Sequence, residues 1–189
     1  MSNQGITIKI TSLADRQKEI FKDIRECTGV KYFALKCGRQ GGKSFLLERI
    51  ALDSCLSRGG QVCAFIMANE KQLKSRFNSM TKWLPECVIS SKNKSAGNRE
   101  IRFINGTVLM FFTAGNPDSI ASNSFDFIFA DEFALWKREA WYIIKPTVSA
   151  KRHAKVVIVS TPRGINQFYD MYNAGLNPDM KRYKSYTMS

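Results

Sequence analysis

Lys43 and Ser44 close the run Cys37-Gly38-Arg39-Gln40-Gly41-Gly42-Lys43-Ser44, in which two adjacent glycines precede a cation and a hydroxyl. These residue types in this order suit the binding of phosphate groups. Gly41 and Gly42 permit backbone angles closed to other residues and let N–H groups wrap an anion at close range. Lys43 would meet the β- and γ-phosphates of a nucleoside triphosphate, and the Ser44 hydroxyl would ligate Mg²⁺. The general phosphate-loop pattern, G-x-x-x-x-G-K-[ST], begins with glycine where this chain has Cys37. The glycine pair, the lysine and the helix N-terminus that follows them survive that departure.

A second constellation is Asp131-Glu132, which follows the apolar run Phe127-Ile128-Phe129-Ala130. Beside a phosphate loop, an acid at the carboxyl end of a buried strand would hold Mg²⁺, usually through water. The next acid, turned the other way by strand alternation, would reach a water aimed at the γ-phosphate. Taken alone the pair is better read as a helix N-cap ahead of Phe133-Ala134-Leu135-Trp136. A third element is Ser160-Thr161, at the tip of Lys155-Val156-Val157-Ile158-Val159 and ahead of Pro162-Arg163-Gly164. Its hydroxyls suit a γ-phosphate or an attacking water; alone, it is a strand ending in a Ser/Thr-Pro turn.

The elements needed to bring these groups together are legible around them. Ser12-Leu13-Ala14-Asp15 has the spacing of a helix N-cap, and Ile20, Phe21, Ile24 and Cys27 continue an apolar stripe. Residues 32–37 read as a short strand, Lys43 to about Arg58 as a helix stopped by Gly59-Gly60, 61–68 as a strand and 70–84 as a helix. The segment 99–112 reads as a hairpin. Asn105-Gly106 suits a type I′ turn, which would pair Phe103 with Val108 and Ile101 with Met110. A strand over 125–130, helical material over 133–150, a strand over 155–160, a helix over 165–172 and a strand over 182–187 complete the chain. Strands alternating with helices predict one α/β domain with a largely parallel sheet, whose ligands sit at the carboxyl ends of the strands.

Composition narrows the chemistry. The 189 residues contain one histidine, His153, so a multi-histidine metal site is excluded and a Ser-His-Asp triad would rest on that residue alone. Five cysteines, an odd number without a C-x-x-C pair, read as free thiols of a reducing compartment. No signal peptide and no apolar run near the ~18 residues of a membrane span is visible. The expectation is a soluble intracellular protein that engages no membrane. Lys and Arg number 29 against 16 Asp and Glu, and the resulting charge of +13 favours a polyanionic partner.

Together, the motifs G-R-Q-G-G-K-S (38–44), F-I-F-A-D-E (127–132) and S-T-P-R-G-I-N-Q-F-Y (160–169) resemble the large terminase subunit of tailed bacteriophages, the motor that packages DNA into procapsids. The resemblance runs from about Ser12 to the end of the chain. It implies a P-loop NTPase fold of the ASCE type, with a mainly parallel central sheet flanked by helices plus an antiparallel hairpin. It further implies ATP hydrolysis with Mg²⁺, coupled to translocation of double-stranded DNA. Under it Arg39 matches the family's loop arginine, and Gln40, Gly41, Gly42, Lys43 and Ser44 the nucleotide-binding loop. Asp131 matches the Mg²⁺ acid, Glu132 the catalytic base, and Ser160 and Thr161 the motif that couples hydrolysis to movement. Gln17 matches the adenine-recognising glutamine.

Some terminases place an Arg-Gly, whose arginine serves a neighbouring subunit as a finger, where this chain has Ala121-Ser122-Asn123-Ser124. That leaves Arg39 in cis, Arg138 or Arg163 for the role. The family's C-terminal nuclease domain has no counterpart within residues 1–189, so a single ATPase domain without DNA cleavage is expected. A portal, a small terminase subunit, a homo-oligomeric ring and the host cytoplasm are implied by resemblance only. For DNA contact the basic zone Lys71, Lys74, Arg76, Lys82, Lys92, Lys94, Arg99 and Arg102 stands out, with the polar stretch 90–99 read as a flexible loop. Two rival readings are one lobe of a helicase-like ATPase and a non-hydrolysing DNA-binding or docking module.

Overall fold

The computed structural model describes residues 13–95 and 97–188. The strands are β1 (Tyr32–Cys37), β2 (Val62–Met67), β3 (Ile89–Asn93), β4 (Glu100–Phe103), β5 (Val108–Thr113), β6 (Phe127–Ala130), β7 (Lys155–Ser160) and β8 (Tyr183–Met188). They form one sheet in the order β3-β4-β5-β2-β6-β7-β1-β8. From β5 to β8 every neighbouring pair is parallel, and β3 and β4 are added antiparallel at one edge. β7 thus lies between β1, which leads into the phosphate loop, and β6, which leads into Asp131-Glu132. This is the ASCE arrangement expected above.

Helices α1 (Asp15–Glu26), α2 (Lys43–Ser57) and α3 (Glu70–Trp83) cover one face; the short α4 (Asp118–Ala121), α5 (Arg138–Ile144) and α6 (Gln167–Ala174) lie on the other. Strand alternation feeds both layers. In β1, Phe33 and Leu35 join the first core while Tyr32 and Ala34 join the second. The second core is built on Phe133, Trp136 and Trp141, packed edge-to-face around the segment that follows the acidic pair.

Three expectations need correction. Ser12, read as the first N-cap, lies outside the described residues. Ala14 occupies the cap position instead, and Gln17 reaches back so that its Oε1 accepts from Ala14 N at 3.0 Å. The hairpin is not closed by a type I′ turn, which needs positive φ at both central residues. Only Gly106 has it, at +82°; Asn105 does not. Gly106 N donates to Phe103 O at 3.0 Å and Phe103 N to Thr107 O at 2.9 Å, making a three-residue loop with a glycine bulge. The register therefore shifts by one, to Ile101 with Leu109 and Arg102 with Val108. That shift sets two fully buried residues, Ile101 and Leu109, opposite each other. Finally, the polar stretch read as a loop from Ser90 is partly strand, because β3 pairs with β4 and extends the hairpin to three antiparallel strands.

Candidate active site

The phosphate loop leaves β1 at Cys37. That residue is buried, pairs in register with Met188 and has no positive φ, so glycine is not required in the loop's first place. Positive φ comes further along, at Gln40 (+62°), which is strained by it, and at Gly42 (+70°), which takes it freely. Gly42 is the N-cap of α2, and Leu46 N donates to its carbonyl at 3.0 Å, so Lys43 and Ser44 occupy the first turn of that helix. The positive helix end and its free N–H groups face the loop, as anion binding requires. Gln17 Nε2 lies 3.5 Å from Gly42 O, and a Cβ added at Gly42 would stand 2.5 Å from that nitrogen. Gln17 is thus brought against the loop, while its amide oxygen caps α1.

Lys43 Nζ pairs with Glu132 Oε1 at 2.9 Å, with both side chains mostly buried. The acidic pair, expected to be split by strand alternation, lies beyond the strand. β6 ends at Ala130, and Glu132 takes the left-handed conformation (φ +49°, ψ +41°) before a short 3₁₀ turn, Phe133–Leu135. A side chain other than glycine pays of order 1 kcal/mol for that conformation. What the turn achieves is direction, because it sends the Glu132 carboxylate back across the sheet end to the phosphate loop.

Asp131 is fully buried beside it. Its Oδ1 accepts from Glu132 N at 2.8 Å, and its Oδ2 has no hydrogen-bond partner. Burial pushes its carboxyl above the ordinary range, against the pull of the nearby Ser44 hydroxyl and the charge of Arg76. Arg76 of α3 stands 4.0 Å from Oδ2 and forms a close ion pair with Glu48 of α2, itself buried and raised by that burial against the pull of Arg76. A cavity of about 520 Å³ opens in front of these groups, bounded by Ser44, Asp131 and Glu132 and by Lys71, Gln72 and Ser75 of α3. The donors fit Mg²⁺. An orphaned, buried carboxylate oxygen beside a serine hydroxyl supplies two oxygen ligands, and this ion ordinarily fills its remaining positions with water and substrate phosphates.

Ser160 is buried at the end of β7, where its Oγ accepts from Ala134 N at 3.0 Å and donates to Thr161 O at 3.2 Å. It therefore ties β7 to the turn that carries Glu132 instead of facing the cavity. Thr161 is half-buried next to it, and Arg39 is exposed at the loop tip. Arg138 is paired with Asp170 at 2.9 Å, and Arg163 is exposed. Two bases of the expected DNA zone point inward: Arg76 to the carboxylates just described, and buried Arg99 to Glu70. Lys71, Lys74, Lys82, Lys92 and Lys94 are exposed, as is Arg102, which pairs with Glu100 at 2.7 Å.

Sequence reasoning missed the roles of Glu48 and Gln167. Glu48 follows Ser44 by one helical turn, after Phe45, Leu46 and Leu47, a spacing that puts both on one face of α2 and could have exposed it. Buried Gln167 donates through Nε2 to Phe133 O at 3.0 Å and Trp136 O at 2.6 Å, and so holds the turn after Glu132 from the side of α6.

The model of the family described as "Terminase large subunit, T4likevirus-type, N-terminal" matches residues 35–187. The large terminase subunit of Escherichia phage T5 is 26% identical over 157 residues, which make up 81% of this chain and 35% of that protein. This chain therefore spans about a third of that relative's length. Among solved structures, a variant of the ATPase domain of the Thermus phage P74-26 large terminase superposes with a TM-score of 0.77 at 20% identity, covering 94% of this chain and 81% of that one. The large terminase of another thermophilic bacteriophage, solved in complex with ADP, does so with 0.74 at 17%, covering 93% and 45%. At such identities the likeness is one of fold. The family match, which takes in most of the described residues, carries the assignment: this chain belongs to the terminase large subunit N-terminal family of the T4likevirus type.

Proposed function

We propose that this chain is an ATPase motor domain, hydrolysing ATP to drive double-stranded DNA into a procapsid. The observation that carries the reading is the convergence of the phosphate-loop cation and a glutamate, Lys43 and Glu132, 2.9 Å apart at the carboxyl end of a parallel sheet. Side by side, the two neutralise each other. ATP entering the loop offers Lys43 its β- and γ-phosphates, and Glu132 is freed. Its carboxylate then takes the proton of a water whose oxygen attacks the γ-phosphorus, while the bond from that phosphorus to the β,γ-bridging oxygen breaks to leave ADP and phosphate. Mg²⁺ held by Ser44 and Asp131 would offset charge on the phosphate oxygens. Gln40, Gly41 and Gly42 line the phosphates with backbone N–H groups, Arg39 lies within the loop to stabilise charge on the transferred group, and Gln17 meets the base.

Motion would pass through Ser160 and Thr161. Ser160 is bonded to the backbone two residues beyond Glu132, so a change in the base's conformation is felt at the tip of β7. The exposed lysines of α3 and the β3–β4 edge suit sequence-independent contact with DNA phosphates. A portal, a small terminase subunit, a ring of copies and a host-cytoplasmic setting complete the proposal; no described helix is long and apolar enough to cross a membrane. The test is Glu132→Ala. Hydrolysis should fall at least about 100-fold, the range of a general base, while nucleotide binding persists. Full hydrolysis in that variant would remove Glu132 from the role.

A further inference from the structure

A second cavity opens at the amino ends of β7, β1 and β8, at the opposite end of the sheet from the phosphate loop. It measures about 190 Å³ and is lined by the connection from α1 to β1 and by Arg25, Lys31, Arg152, His153, Lys155 and Arg182, with no carboxylate among its lining residues. Strand register explains the crowding. Tyr32 of β1 pairs with Val156 on one side and Tyr183 on the other. Lys31, Lys155 and Arg182, each one residue earlier, therefore begin three neighbouring strands side by side, and Lys31 N donates to Arg182 O at 2.9 Å. Neighbouring strands lie about 4.8 Å apart, so the backbones of three basic residues start side by side at this end of the sheet.

The nearby acids relieve this charge only in part, at Arg25 through Asp53 and at Lys155 through the charge of Asp23, and leave Arg152 and Arg182 unmatched. Asp53 is engaged by Arg25 at 3.5 Å, Asp126 by Lys151 at 2.8 Å and Asp23 by Lys184 at 2.5 Å. Lys31 Nζ donates to the carbonyls of Val148 and Lys151, and Lys155 Nζ to that of Ile24, so neither ammonium meets a carboxylate. Burial holds both lysines below their usual range, and at Lys31 the charge of Arg182 adds to it. Among the described residues Arg152 and Arg182 enter no ion pair, and both are exposed. The fold thus gathers positive charge around a concavity and leaves two guanidinium groups free to bind.

We propose that this cavity is a site for one phosphate group, held by Arg152 and Arg182 over the Lys31–Lys155 row and separate from the nucleotide loop. Guanidinium forks match phosphate oxygens two at a time. The volume lies below the ~300–1,000 Å³ of pockets that enclose whole drug-sized ligands, so it admits the phosphate and not an entire nucleotide. That phosphate is either free inorganic phosphate or a phosphodiester of a nucleic-acid backbone.

The test uses Lys43→Ala protein, in which the nucleotide loop is disabled, titrated with inorganic phosphate and separately with a short DNA duplex. The same titrations are run after adding Arg152→Ala and Arg182→Ala. Both side chains are exposed and the sheet uses only the backbone carbonyl of residue 182, so the thermal midpoint should hold. Saturable phosphate binding that weakens at least tenfold on losing the two arginines supports the site. If the duplex also binds more weakly, with a salt slope reduced by about one, the occupant is a backbone phosphate. If duplex binding is unchanged while phosphate binding is lost, the occupant is free phosphate. Absence of saturable phosphate binding to the Lys43→Ala protein, or equal binding after both substitutions, overturns the proposal. No arm depends on ATP hydrolysis, so failure of the motor reading would leave this result interpretable.

Discussion

Arg76 is the residue on which the site's buried charge depends. It faces two buried carboxylates, Glu48 and Asp131, with only about a quarter of its own side chain exposed. Removing one partner from such a cluster leaves uncompensated charge in the interior. Arg76→Ala should therefore cost about 3 kcal/mol in chemical denaturation, whereas replacing Arg76 and Glu48 together by methionine should cost clearly less. Equal losses would show that the carboxylates are solvated in some other way. At this scale the sequence displayed Lys43, Ser44, Asp131 and Glu132, because each is marked by its covalent neighbours. It did not display the Arg76–Glu48 pair, because that pair is made between α2 and α3 and neither residue carries a local signature. Arg76 looked like one more surface base; only the packing of α3 turned it inward.

Elements show where local rules compete. The strands β1 and β7, the start of α2 and the parallel layout follow from apolar runs and glycine punctuation. The hairpin register does not, since Asn-Gly serves either a two-residue type I′ loop or a three-residue loop with a glycine bulge, and burial of Ile101 against Leu109 decides between them. Gly106→Ala forces a side chain into φ +82° and should cost about 1–2 kcal/mol in thermal or chemical unfolding; an unchanged midpoint would contradict the turn. β3 escaped notice because its exposed face is serine and lysine, the composition of a protected sheet edge.

The docking of β8 onto α1 carries a pH dependence. Tyr186 donates to Asp23 Oδ2 at 2.7 Å, and burial, aided by that hydrogen bond, raises its phenol well above the ordinary range. Because the folded value exceeds the unfolded one, the contribution is complete below about pH 10, the ordinary tyrosine value. It declines as pH rises beyond that point, where the unfolded chain ionises and the folded chain does not. Tyr186→Phe should lower stability at neutral pH by about 1–2 kcal/mol and flatten the alkaline limb of the stability profile. An identical alkaline limb in both proteins would contradict the assignment.

Over the whole molecule, the charge of +13 is unevenly used. Part is consumed internally by Arg76 and Arg99, part lies on α3 and the β3–β4 edge, and part rings the amino ends of β7, β1 and β8. The exposed share suits a polyanion bound through its backbone, and affinity for duplex DNA should fall steeply as salt rises, independent of sequence. The lone histidine, exposed and outside the nucleotide site, fits chemistry run by lysine, carboxylates and a divalent ion. The most direct measurement is ATP hydrolysis by this chain with Mg²⁺, followed across protein concentration with and without double-stranded DNA. The account predicts turnover that disappears in Lys43→Ala. No hydrolysis at any protein concentration, with or without DNA, would contradict it and leave a DNA-binding or docking module that has kept only the fold.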